Sequence, residues 1–231
     1  MISFIVPAYN EERCLPAALE AIHLAARALG IDYEIVVADD GSTDATAALA
    51  RLAGARVVTV ANRQISKTRN DGARAATGDR LVFVDADTRV GEPVLRAAMA
   101  VLDAGAVGGG CEVAFDSDAP RWARWMLRGV VGPMRVFNLA AGCFVYCRRD
   151  AFERVGGFDE RHFAGEEIML SLALRREGRF VMLREEVITS SRKFTSRSPW
   201  ETLWLTFRLM ARGMGGVRAR EHTGFWYDGK R

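Results

Sequence analysis

Glu34-Ile35-Val36-Val37-Ala38-Asp39-Asp40-Gly41-Ser42-Thr43-Asp44 is an apolar run of strand length that breaks abruptly into aspartates, a glycine and hydroxyls. β-Branched residues favour the pleated backbone, and the Asp-Gly-Ser cluster favours a turn, so Glu34–Ala38 reads as a strand with a polar loop at its carboxyl end. The same grammar recurs on both sides. Ile2–Val6 ends at Pro7-Ala8-Tyr9-Asn10-Glu11-Glu12, Val57–Val60 is a third run, and Leu81–Val84 leads into Asp85-Ala86-Asp87. Helical spacing fills the intervals. Leu15, Leu19, Ile22, Ala26 and Leu29 recur up to Gly30, Asp44–Ala53 is a helix opened by Ser42 or Thr43, and Ser66–Ala76 is a helix closed near Gly78. Strands alternating with helices predict βαβ units on a mainly parallel sheet with helices on both faces.

Beyond about Gly91 the rhythm changes. A helix is expected from Pro93, a Gly-rich strand over Ala106–Phe115, a helix over Pro120–Val131 with Trp122, Trp125 and Met126 on one face, and an extended Leu139–Cys147. A helix over Glu166–Glu177 and a last strand over Glu186–Thr189 follow. The expected organisation is one domain and one continuous sheet over 1–231, with a nucleotide-type half to residue 90, a second half over 91–198, and a C-terminal helix and tail over 199–231.

Of the 231 residues, 49% are hydrophobic and 26% charged, the balance of a folded globular protein. Net charge is 32 − 29 = +3, too slight for a nucleic-acid binder. It divides unevenly: residues 191–231 carry 9 basic and 3 acidic side chains (+6), leaving 23 and 26 (−3) for the first 190. Cys14, Cys111, Cys143 and Cys147 form no C-x-x-C pair and have no nearby histidine at ligand spacing, so buried, reduced thiols are expected rather than a zinc site. No basic leader precedes the first apolar run, and no stretch approaches the ~20 apolar residues of a membrane span, so a cytoplasmic protein is expected.

The polar residues carry the functional signal. Tyr9-Asn10-Glu11-Glu12, Asp39-Asp40-Gly41-Ser42 and Asp85-Ala86-Asp87 all follow strands, and in a parallel sheet that puts them at the carboxyl edge, where open α/β sheets bind ligands. Four aspartates at one edge repel one another, and Mg²⁺ or Mn²⁺ among them is the economical remedy. Taken singly, Asp40 and Ser42 also suit turn and cap positions, and Asp-x-Asp occurs by chance in many loops.

In combination these segments resemble the family 2 nucleotide-sugar glycosyltransferases. Ile5-Val6-Pro7-Ala8-Tyr9-Asn10-Glu11-Glu12, Val36–Asp44, the Lys67–Asp79 stretch, Asp85-Ala86-Asp87, Gly156-Gly157-Phe158-Asp159 and Gly165-Glu166-Glu167 stand in that family's order and spacing. The resemblance implies a GT-A type fold with a smaller mixed acceptor-binding portion, and transfer of a sugar from a nucleotide diphosphate donor to a hydroxyl acceptor, a glycan or a lipid-linked one, with inversion. It implies that Asp40 accepts from the base, that Ala8 and Tyr9 flank it, and that Pro7, Glu11 and Ala86 belong to the same donor site. It further implies that Asp85 contacts the ribose or sugar, that Asp87, with Asp85, holds the metal, and that Arg69 steadies the nucleotide or its phosphates. The general base falls on Glu167, where the family usually has aspartate, with Glu166 as the alternative. Arg192 and Lys193 follow the last strand, in a loop that in the family closes over the phosphates.

Ser198-Pro199-Trp200-Glu201 reads as a capping box, and Trp200, Leu203, Trp204, Phe207, Met210 and Met214 recur at helical spacing. That helix packs on the domain, contacts a membrane surface through 199–216, at the inner face, or joins a homodimer. Two other readings stay open: a sugar nucleotidyltransferase, which would want a Gly-rich basic loop where Pro7–Glu11 stands, and a non-catalytic sugar-nucleotide-binding protein, favoured only by Glu167 replacing aspartate.

Overall fold

The computed structural model describes residues 1–162 and 165–192, apart from the side chains of residues 128, 130, 131 and 133. Eight strands form one sheet: β1 (Ile2–Ala8), β2 (Tyr33–Asp39), β3 (Arg56–Thr59), β4 (Arg80–Val84), β5 (Thr88–Arg89), β6 (Gly108–Phe115), β7 (Phe144–Arg148) and β8 (Phe180–Thr189). Their order is β3-β2-β1-β4-β7-β6-β8-β5. The β3-β2-β1-β4 half is wholly parallel. β7 then runs antiparallel to both β4 and β6, β8 parallel to β6, and β5 antiparallel to β8. The mainly parallel half and the mixed portion are thus halves of a single sheet, joined at the β4–β7 ladder from Arg80↔Arg148 to Val84↔Phe144.

Side-chain alternation along the central strands builds two cores. Phe4 and Val6 of β1 and Val82 and Val84 of β4 face one layer with Leu15, Leu19, Ile22, Leu95 and Leu102 of α1 (Leu15–Ala28) and α4 (Glu92–Asp103). α2 (Thr46–Leu52) packs beside α1. Ile5, Leu81 and Phe83 face the opposite layer, with Ala73 of α3 (Ile65–Ala75), Phe152 of α6 (Arg149–Arg154), and Leu170 and Leu174 of α7 (Glu166–Glu177). α5 (Arg121–Val136) lies against β6. α3 approaches β1 so closely that a Cβ on Gly72 would stand 2.6 Å from Ile5 Cγ2.

Several boundaries differ from the sequence expectation. α2 begins at Thr46, where Asp44 rather than Ser42 or Thr43 ties the start, its Oδ1 accepting from Thr46 N at 3.0 Å. Extended structure over 139–147 is confined to Phe144 onward, because residues 139–143 turn into the site. β8 starts six residues earlier than expected, α5 runs on to Val136, and β5 and α6 were not anticipated. Trp122, Trp125 and Met126 share one face of α5, on which Trp125 is 70% exposed. Of the four free thiols, Cys111 and Cys147 are buried and Cys14 and Cys143 only half-buried. The tail helix over 199–216 and Lys193 lie outside the described residues. Among the described residues no helix is long and apolar enough to cross a membrane.

Candidate active site

The carboxyl edge of β1, β2 and β4 gathers most of the expected residues. Asp40 N donates to Ala8 O at 2.8 Å, Asn10 N to Ser42 Oγ at 2.9 Å and Thr43 N to Asn10 Oδ1 at 2.8 Å, so the loops after β1 and β2 are tied together. Pro7, Ala8 and Ala86 are buried, Ala8 and Ala86 within the core. Tyr9 is half-buried, with the Arg63 guanidinium carbon 4.0 Å from its ring centroid. The buried Asp40 carboxylate accepts from the backbone N–H of Asn62 (2.6 Å) and Arg63 (3.0 Å) and from Thr68 Oγ1 (3.1 Å).

At the centre of the site, Arg69 reaches from α3 towards the ends of β4 and α7. It is 1% exposed; Nη1 donates to Glu166 Oε1 at 2.5 Å, and Nη2 to Asp85 Oδ1 at 2.7 Å and Gly142 O at 2.8 Å. This arginine is buried, and its guanidinium bonds Glu166, Asp85 and the Gly142 carbonyl. Desolvation opposes its charge, but Asp85 and Glu166 more than compensate and raise its pKa. Nε is buried without a hydrogen-bond partner.

The two glutamates at the start of α7 therefore occupy different environments. Glu166 is buried and held by Arg69. Glu167 is half-buried against Gly142, where a Cβ would sit 3.2 Å from its Cδ; burial, then repulsion from Glu166, push its carboxyl up to about 8. Asp87 lies on the turn between β4 and β5, its Oδ2 3.9 Å from Arg192 Nη2. The same Arg192 nitrogen donates to Glu11 Oε2 at 2.8 Å, so residues that follow β1, β4 and β8 meet there. Asp85 and Asp87 offer the hard carboxylate oxygens that Mg²⁺ and Mn²⁺ take, so the residues present fit such an ion. No three metal-ligating side chains cluster among the described residues, so phosphates or water would have to complete its shell.

Sequence reasoning missed Arg63, Gly142 and Asp116. Arg63 carries no local signal, and Gly142 shows its role only once Glu167 is opposite it. Asp116, after β6, accepts from Ser191 Oγ at 2.6 Å beside the Arg192 end of the site. A cavity of about 570 Å³ opens next to it between β6 and α5, lined in part by Glu112, Phe115, Asp116, Arg124 and Arg135.

Comparison with known proteins agrees with this architecture. The undecaprenyl-phosphate 4-deoxy-4-formamido-L-arabinose transferase of Pseudomonas paraeruginosa is 32% identical over 152 residues, 61% of this chain and 41% of that protein. The protein of the same name from Pseudomonas fluorescens is 40% identical over 94 residues, 37% of this chain and 27% of its own. The chain thus spans less than half the length of these relatives. Among solved structures, a mannosyltransferase from Pyrobaculum calidifontis in complex with GDP-Man and Mn²⁺ superposes with a TM-score of 0.65 at 20% identity, over 90% of this chain and 60% of that one. The glucosyl-3-phosphoglycerate synthase of Mycobacterium tuberculosis, in complex with Mn²⁺, UDP and glucosyl-3-phosphoglycerate, gives 0.63 at 20% identity, over 94% and 80%. At such identities the likeness shows the fold, of GT-A type. The sequence description of glycosyl transferase family 2 matches residues 3–156, and the chain belongs to that family.

Proposed function

We infer that the chain transfers a sugar from a nucleoside diphosphate donor to a hydroxyl of a glycan or lipid-linked acceptor, with inversion at the anomeric carbon. The observation that carries this reading is the division of labour between adjacent carboxylates: Arg69 neutralises Glu166, while Glu167 keeps a raised proton affinity at the same edge as Tyr9, Asp40, Asp85 and Asp87. Glu167 takes the proton of the incoming hydroxyl as general base, and its raised pKa suits that task near neutrality. Gly142 leaves room for its carboxyl group. Asp87, with Asp85, would hold a divalent cation, which would supply Lewis-acid neutralisation of charge at the diphosphate. Arg192 adds fixed positive potential there. The relatives' names support the lipid-linked class of acceptor, and the +6 of residues 191–231 supports peripheral contact of 199–216 with an anionic membrane.

The test is incubation with UDP- and GDP-sugars, Mn²⁺, and glycan and polyprenol acceptors. Acceptor-dependent release of nucleoside diphosphate, abolished in Asp87→Ala, is expected. Pyrophosphate-dependent turnover would instead indicate a nucleotidyltransferase, and metal-dependent binding without turnover a silent binding protein.

A further inference from the structure

Asn70 follows Arg69 on α3 and is 5% exposed. Its Nδ2 donates to Phe158 O and its Oδ1 accepts from Phe158 N, both at 2.9 Å. One side-chain amide thus pairs with both backbone groups of Phe158, as a neighbouring strand would. Nδ2 also donates to Glu160 Oε1 at 3.0 Å. Gly157, at φ 77°, permits the approach, since a Cβ there would stand 2.7 Å from Asn70 Oδ1. What the clamp fixes is the Phe158 ring. That ring is 1% exposed and meets Phe83 of β4 edge to face, with centroids 4.9 Å apart at 88°. The Arg69 guanidinium carbon lies over it, 5.2 Å from its centroid. A ring face attracts a guanidinium, and more strongly where water is excluded. Arg69 Nε has no hydrogen-bond partner, so the seat of this cation is set by its two Nη groups and by the ring beneath.

We propose that Phe158, clamped by Asn70, is a positioning residue that seats the Arg69 guanidinium on Asp85 and Glu166 and keeps it off Glu167. The inference rests on the sugar-transfer reading above, in which Glu167 accepts a proton. Glu167 is next to Glu166 in the chain and feels the charge of Arg69 as well. A guanidinium free to swing would pair with it through two parallel hydrogen bonds. Such a pair would favour the charged carboxylate and weaken it as a base. Phe83 extends the effect to the other partner of Arg69, because β4 delivers Asp85 two residues beyond it. The ring therefore sets α3, the end of β4 and the start of α7 against one another at one point.

The test compares Phe158→Leu with Phe152→Leu, a second ring of the same aromatic group, carried by α6 with its centroid 5.9 Å from that of Phe158. Both substitutions keep an apolar side chain in the core and both lower stability, but Phe158→Leu removes the ring under the guanidinium. The kcat per folded molecule, at saturating donor, Mn²⁺ and acceptor, is expected to fall about tenfold to a hundredfold in Phe158→Leu and to stay within about threefold of wild type in Phe152→Leu. Asn70→Ala, which opens the clamp, is expected to follow Phe158→Leu. Urea titration adds a readout independent of turnover. The loss in folding equilibrium constant on Glu166→Gln is expected to shrink about fivefold or more in the Phe158→Leu background and to stay within about twofold in the Phe152→Leu background. Equal kcat in the two phenylalanine variants, or costs that simply add in the Phe158 cycle, overturns the role of Phe158; wild-type kcat in Asn70→Ala overturns that of Asn70. A wild type that transfers no sugar to any acceptor removes the transferase reading, and the urea cycle then decides alone whether Phe158 holds the Arg69 pair.

Discussion

Glu166 and Glu167 are chemically identical neighbours that the fold makes unequal. Glu166 spends its charge on a fully buried arginine, and removing one partner of a buried ion pair costs about 3–5 kcal/mol. Glu166→Gln is therefore expected to lower the denaturation midpoint by a corresponding amount, read by urea titration. Glu167 gains no such partner. Its folded pKa lies above the roughly 4.3 of an unfolded glutamate, so its contribution to stability is present at low pH and fades as pH rises towards about 8. Glu167→Gln should match the wild type in stability at pH 4.5 and exceed it at pH 8.5, a trade of stability for function that paired denaturation curves can measure. The adjacent Glu-Glu was legible in the sequence; which of them is held was not, because Arg69 lies 97 residues before Glu166 and Gly142 takes part through its carbonyl. An arginine in a polar helix reads as solvated until the fold closes over it.

At the scale of elements, strands and helices place these side chains through close approaches. α3 lies on β1 at Gly72, one turn from Arg69, so Gly72→Ala drives a Cβ into Ile5 and shifts the helix that carries the arginine. Overpacking of this kind costs about 1–3 kcal/mol. Loss of both stability and turnover is expected, checked by thermal midpoint and initial rate. β1, β2 and β4 were readable because each is a short, mainly apolar run ending in polar turn residues. β5 was not: its two residues pair with β8 only because the Asp85–Asp87 turn delivers them there. α6, six residues with two arginines and two acidic residues, carries no helical hydrophobic pattern; burial of Ala151 and Phe152 against the α7 layer defines it. The early start of β8 went unseen because its first half, Phe180–Leu183, shows no alternation and lies beside the Gly-rich β6.

For the whole molecule, the parallel half presents the edge proposed to bind the donor, and the mixed half brings β7, α7 and the end of β8 across it from the other side. Ligands that bind this edge join the two halves, so nucleoside diphosphate with Mn²⁺ should stabilise the folded chain by about 2.7 kcal/mol at a hundredfold excess over Kd. Asp87→Ala should erase the part of that gain that depends on Mn²⁺, read as a shift in thermal midpoint. The sheet order across the β4–β7 junction was not legible in the sequence, since antiparallel insertion of β7 leaves no local mark; the continuity of the sheet was expected and is what the strands form. The most direct test of the account is the pH–rate profile of sugar transfer for the wild type and Glu167→Gln, under saturating donor, metal and acceptor. The wild-type rate is expected to rise with pH through a limb well above the usual carboxylate range, and the variant to be slower by about 10²- to 10⁴-fold and to lose that limb while binding nucleoside diphosphate unchanged. A variant that keeps the wild-type rate and limb would contradict it.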